Sequence, residues 1–153
     1  GPLSPEDQAA VDDALKVAEL EALADRPLGE VSSGERQRAA LARCLAQGGE
    51  LVLLDEPTSH LDLGHRQRML AAFSRRARER DQVLLLALHD LNLAASFADR
   101  ILLMVDGRIR ADGAPHDVLT RERVSEAFGA RVRVLEDGPV VVLEAWESSD
   151  ASS

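Results

Sequence analysis

Residues 51–62 read LVLLDEPTSHLD, and they hold the densest chemistry in the chain. Four apolar residues end in two adjacent carboxylates, Asp55 and Glu56, and Pro57 stops the run. A short apolar run followed by turn residues predicts a fully buried parallel strand. Side chains alternate across a strand, so the two acids are expected on different sides of its tip. Ligands of open α/β sheets bind outside the carboxyl ends of the strands. One carboxylate there is suited to Mg²⁺ and the other to a water molecule. The plainer alternative is that both acids begin a solvated loop and cap the next helix.

A second candidate lies upstream, in Val31-Ser32-Ser33-Gly34-Glu35-Arg36-Gln37-Arg38. Ser32 and Glu35 have the spacing of a capping box. The same geometry leaves backbone N–H groups, a hydroxyl and a glycine at a helix start, where a phosphate is readily held. A third candidate is His89-Asp90, which follows the apolar run Val83 to Leu88 and so falls at another strand tip. His60 and His65 suggest a metal site, but no Cys or carboxylate set accompanies them at ligand spacing. His116 is expected at the surface, and the one cysteine, Cys44, in the core.

The elements that must position these residues follow from the patterning. Ser4-Pro5-Glu6-Asp7 is a helix start, and Val11, Leu15 and Ala18 recur at helical spacing up to a break near Glu19-Leu20. A short helix to about Asp25 and the connector Arg26 to Gly29 precede the helix that begins after Ser32 and ends before Gly48-Gly49. Met69, Leu70 and Phe73 share one face of a helix running to about Arg80. Arg75, Arg76, Arg78 and Arg80 crowd its end and are expected on a solvated face near the C-terminal dipole. Val83 to Leu88 is expected to be a second buried strand and Leu91 to Ala98 a helix. Ile101 to Val105 and Arg108 to Ala111 form a hairpin around Asp106-Gly107. Helices at residues 114–119 and 121–128 lead to a second hairpin, Val132 to Leu135 and Val140 to Leu143, turning at Asp137-Gly138. A disordered tail is expected over residues 147–153. Strands alternating with helices predict an α/β fold with a parallel sheet.

Composition narrows the function classes. The 153 residues suit one domain, and 45% are hydrophobic, enough for a core. Aromatics are 3%, so that core is aliphatic, and the net charge of −9 argues against a phosphate-backbone partner. No apolar run approaches the length of a membrane span. A single Cys allows no internal disulfide and fits a reducing compartment.

Taken in order, these motifs resemble the ATP-binding cassette of ABC transporters. Residues 31–35 look like its signature motif, 51–56 like the Walker B strand, 59–62 like the D-loop, and His89 stands where the switch histidine is expected. The stretches TSHLD, HDLNLAASFADRI and DGRIRADGAP are most similar to ATPases of iron-siderophore, haem and cobalamin importers. The resemblance implies that Asp55 binds Mg²⁺, that Glu56 directs or deprotonates the attacking water, and that His89 contacts the γ-phosphate. It implies that Ser32, Ser33, Gly34 and Glu35 meet ATP held by a second ATP-binding subunit, with Asp62 coupling the two sites. The implied partners are that subunit and transmembrane permease subunits, on the cytoplasmic face of the membrane, without nucleic acid and without direct membrane insertion. Ser33 departs from the family's glycine, and its Cβ narrows the backbone's approach to phosphate. Tuning rather than loss is expected.

No G-x-x-x-x-G-K-[ST] run occurs, so the P-loop that cradles phosphates and its Mg²⁺-binding hydroxyl are missing from the chain. The expected fold is therefore an incomplete P-loop NTPase sheet of ABC type without its Walker A strand. Residues 1–4 are read as a tag remnant and 5–48 as part of the helical subdomain. Residues 49–113 form the core with the first hairpin, and 114–146 the C-terminal helices and hairpin. The chain is expected to be a C-terminal portion of a cassette, cut after the Q-loop and inactive alone. The missing strand would leave edges at 83–88 and 101–105, repaired by direct pairing of these two, by strand exchange or by an edge-paired oligomer. Two other functions fit the same residues: a non-catalytic module that pairs through its signature face, and a fragment of a soluble ABC ATPase.

Overall fold

Both predicted helix starts form as capping boxes in the computed structural model, which describes residues 3–135 and 140–144. Ser4 Oγ accepts from the N–H of Asp7 at 3.1 Å, and the Asp7 carboxylate accepts from the Ser4 N–H at 3.3 Å. They open α1 (Pro5–Val17). Ser32 and Glu35 do the same for α2 (Ser33–Ala46). Each box satisfies two backbone donors that a helix start leaves without intrahelical partners.

The chain divides into two compact units, residues 1–89 and 90–153. In the first, α1 and two 3₁₀ turns, Glu21–Leu23 and Leu28–Glu30, precede α2. Strand β1 (Leu51–Asp55), helix α3 (Leu63–Glu79) and strand β2 (Val83–Ala87) then make one βαβ unit, with β1 and β2 parallel and Asp55 opposite Ala87. The core joins Ala14 and Ala18 of α1 and Leu41 and Leu45 of α2 to Val52 and Leu54 of β1 and Met69 and Phe73 of α3.

In the second unit, α4 (Leu91–Phe97) is followed by the antiparallel hairpin of β3 (Ile101–Val105) and β4 (Arg108–Gly113). Asp106 and Gly107 both have positive φ, 50° and 71°, as a type I′ turn requires. Helices α5 (Pro115–Val118) and α6 (Arg121–Phe128) lead to β5 (Val132–Leu135) and its antiparallel partner β6 (Val140–Leu143). Leu103, Val118, Leu119, Val124 and Val132 form this unit's core. The Asn92 side chain clamps β6, donating to the Val141 carbonyl at 3.1 Å and accepting from its N–H at 2.7 Å.

Four expectations change. Strand β1 is buried on one face only: Val52 and Leu54 are inside, while Leu51 and Leu53 are exposed. Strand β2 repeats the pattern with Val83 and Leu85 exposed. A two-stranded sheet with helices against one face leaves its other face bare, and the apolar composition of the strands does not reveal that. Among the described residues the strands at 83–87 and 101–105 lie in separate two-stranded sheets, β1–β2 and β3–β4, and do not pair with each other. The only parallel pair among the described residues is β1–β2. Arg76 is not on a solvated face. It is 3% exposed, and its Nε lies 3.0 Å from Asp13 of α1. The turn at Asp137-Gly138 and the tail at 147–153 lie outside the described residues.

Candidate functional site

Parallel register puts the tips of β1 and β2 side by side, so the residues that follow the two strands meet. Glu56 leaves β1 with φ of 45°, a left-handed conformation uncommon for a residue with a Cβ. Its N–H donates to the Ala87 carbonyl at 3.0 Å. The carboxylate follows the last paired residue of β1, Asp55. It turns toward the end of β2, where Glu56 Oε1 lies 2.6 Å from His89 Nε2. Both side chains are open to solvent, His89 at 85% exposure. A carboxylate oriented by an imidazole, reachable by water, is equipped to direct or deprotonate a nucleophilic water. Asp55, exposed at the strand tip, has no side-chain partner among the described residues. Asp90 caps α4, accepting from the Leu93 N–H at 2.9 Å.

The second cluster is an open cleft of about 400 Å³ between the start of α2 and the loop before α3. Residues 32–35 and Arg38 line one side, and His60, Leu61, Asp62 and His65 the other. Ser32 Oγ accepts from the Glu35 N–H, and Glu35 returns the bond at 2.7 Å to the Ser32 N–H. The bond from the Ser32 N–H first, and the Ser32 hydroxyl second, hold the Glu35 carboxyl below its ordinary value. A Cβ on Gly34 would rest at ordinary contact distance, 3.5 Å from Leu61 Cδ2 and 3.6 Å from the His60 carbonyl. Gly34 thus leaves space in the cleft rather than relieving a clash. Ser33 begins α2 and is exposed.

Asp62 caps α3, accepting from the His65 N–H at 2.9 Å. His65 Nδ1 lies 2.6 Å from its other oxygen. The backbone bond first, and the ring second, hold the Asp62 carboxyl below its usual range. Arg66 Nε donates to the Leu61 carbonyl at 2.7 Å and pins the same loop.

The structure thus gathers the expected site residues into two groups. Glu56 and His89 meet at the strand tips with Asp55 beside them, while Ser32, Ser33, Gly34, Glu35 and Asp62 share the cleft. Sequence reasoning gave no role to Arg38 and missed the coupling of His65 to Asp62. Arg38 lies one helical turn beyond Gly34, and its Nε is buried without a hydrogen-bond partner. The signal for His65 was its place three residues after a capping Asp. No group of three or more His, Cys, Asp or Glu side chains among the described residues could hold a metal ion. His116 is exposed beside Asp117, and Cys44 is half-buried against the core. Mg²⁺ binds through one or two carboxylates, phosphate oxygens and water, so the lone exposed Asp55 fits a share of such a site and not a complete one.

Known proteins resemble this chain over most of its length. A family model described as "ABC transporter" matches residues 4–59. The chain is 45% identical to the hemin import ATP-binding protein HmuV of Rhodococcus jostii, over 88% of this chain and 46% of that protein. It is 43% identical to the cobalamin import ATP-binding protein BtuD of Halobacterium salinarum, over 96% of this chain and 38% of the relative. The chain therefore spans less than half the length of either. The structure superposes on an inward-facing metal-chelate type ABC transporter with a TM-score of 0.77 and 25% identity, covering 94% of this chain and 60% of that one.

Proposed function

This chain belongs to the ABC transporter ATPase family, and from that premise we propose that it supplies the hydrolytic and signature residues of a transport-coupled ATPase. The observation that carries the proposal is the 2.6 Å contact between Glu56 and His89 at the tips of adjacent parallel strands. Glu56 orients the attacking water and accepts its proton, and His89 holds Glu56 in place and faces the γ-phosphate. Asp55 contributes a carboxylate to Mg²⁺, which when bound neutralises phosphate charge. Residues 32–34 offer N–H groups, hydroxyls and an open position at a helix start, suited to phosphate oxygens of ATP carried by a second ATP-binding subunit. Arg38 adds positive charge to the same cleft. Asp62 faces this cleft and couples the two sites.

Because the chain holds no G-x-x-x-x-G-K-[ST] run, it does not hydrolyse ATP by itself in this reading. The protein it serves works as a dimer on permease subunits at the cytoplasmic face of a membrane. No helix among the described residues is long and apolar enough to cross one. The names of the relatives favour import of haem, cobalamin or a similar metal chelate. Among the described residues β2 pairs only with β1, and its other edge is suited to an edge-paired or strand-exchanged contact with another chain.

The test is ATP turnover by the intact protein carrying Glu56→Gln. The amide keeps the shape and cannot take a proton, so turnover falls about 10²–10⁴-fold while MgATP still binds. Unchanged turnover would overturn the assignment.

A further inference from the structure

We propose that His65 is a positioning residue for Asp62, fixing the orientation in which that carboxylate faces the cleft of residues 32–35. The proposal rests on the reading of Asp62 as the residue that couples two nucleotide sites. A helix cap needs one oxygen, and Asp62 provides it by accepting from the His65 N–H at 2.9 Å. That bond alone leaves the carboxylate free to swing, because the terminal torsion of Asp is broad. His65 Nδ1, 2.6 Å from Oδ2, removes the freedom, so both oxygens are held by one residue. An ionised carboxylate only accepts, so Nδ1 carries the hydrogen.

A second carboxylate lies on the far side of the ring. His65 Nε2 lies 4.0 Å from Glu19 Oε2, and the other Glu19 oxygen accepts from Arg68 Nε at 3.2 Å. Glu19 has φ of 55°, which costs energy in a residue with a Cβ, and follows the last turn of α1. The strained position delivers a carboxylate to α3. His65 therefore stands between two carboxylates, one from the α1 end and one from the loop that leads into α3. A side chain serving only the helix start would not need the second contact. The arrangement ties the orientation of Asp62 to the helical segment that ends at Glu19.

The test uses the intact ATPase as wild type, His65→Ala and His65→Asn. Asn keeps a donor near the Nδ1 position. Carbon-13 NMR follows the Asp62 carboxyl, and steady-state kinetics follows MgATP turnover. In His65→Ala the Asp62 titration moves up toward the ordinary value, kcat falls about tenfold, and KM for MgATP stays within about twofold, as expected when positioning rather than binding is lost. His65→Asn restores both readouts. An Asp62 titration unmoved in His65→Ala would overturn the proposal. So would a moved titration with unchanged kcat, which would make His65 a cap and no more. A wild-type protein without ATP turnover would sink the proposed function instead, and the carboxyl titration would still decide whether His65 holds Asp62.

Discussion

Replacing Asp13 with Ala should destabilise the first unit more than replacing Arg76 with Met, although the two residues form one ion pair. The Arg76 side chain is 4% exposed, and Asp13 is 41% exposed. Burial pushes the guanidinium below its usual value and Asp13 holds it up, yet arginine remains charged in either case. Its other contact is a weak one, 3.5 Å to the Leu45 carbonyl. Without Asp13 the guanidinium is stranded among α1, α2 and α3. Stranding a buried charge costs about 3–5 kcal/mol, and the solvent already reaching Asp13 lowers this to roughly 2–3 kcal/mol. Arg76→Met keeps the apolar stem and most of the volume. Asp13 then still has Arg80 Nη2 at 3.3 Å and water, so the expected loss is about 0–1 kcal/mol. For a chain of this size the gap of about 2 kcal/mol corresponds to roughly 4–8 °C in Tm. Thermal and urea unfolding followed by circular dichroism measures both variants. An equal loss, or a larger one for Arg76→Met, would show that the pair stabilises by attraction and not by relieving desolvation.

Two further outcomes follow from the electrostatics and the sheet. Glu35, Asp62 and Asp112 all titrate below their ordinary values, Asp112 because the Arg100 side chain donates to both its oxygens at 2.6 and 2.7 Å. Depressed folded values add stability that is complete above the unfolded carboxyl range, near pH 4, and that is lost as pH falls through the folded values; the acid limb of Tm against pH should be shallower in the Glu35→Gln and Asp112→Asn double variant. Leu53→Lys should change stability by no more than about 0.5 kcal/mol, because Leu53 is 62% exposed. Val52→Ala, one residue away and 5% exposed, should cost about 1–2 kcal/mol, and chemical denaturation separates the two.

Local signals carried much of this structure. Capping residues placed the starts of α1 and α2, Gly48-Gly49 placed the end of α2, and Asp106-Gly107 placed the first hairpin. The order of short motifs singled out Glu56 and His89, which meet at the strand tips, and Ser32 and Asp62, which share the cleft. What stayed hidden depends on partners distant in sequence. Arg76 sits in a run of arginines that looks solvated, and only the approach of α1 buries it. The strands LVLLD and VLLLA have the same apolar texture whether one face or both are covered, so the bare face of β1–β2 was invisible. Strand alternation said nothing of the left-handed turn at Glu56 or of the meeting of its carboxylate with His89, which depends on the parallel pairing of β1 with β2. His65 was weighed as a metal ligand because residue type suggests ligation, whereas its role depends on Glu19, 46 positions earlier in the numbering.

Titration of this chain with MgATP in a calorimeter tests the central claim most directly. The account assigns the chain the hydrolytic pair and the signature cleft but no phosphate cradle. It predicts no detectable heat up to millimolar nucleotide, where a binding free energy would be only about 4 kcal/mol. Micromolar binding, near 8 kcal/mol, would mean that residues within this chain hold the phosphates, and the division of the site between two subunits would be wrong.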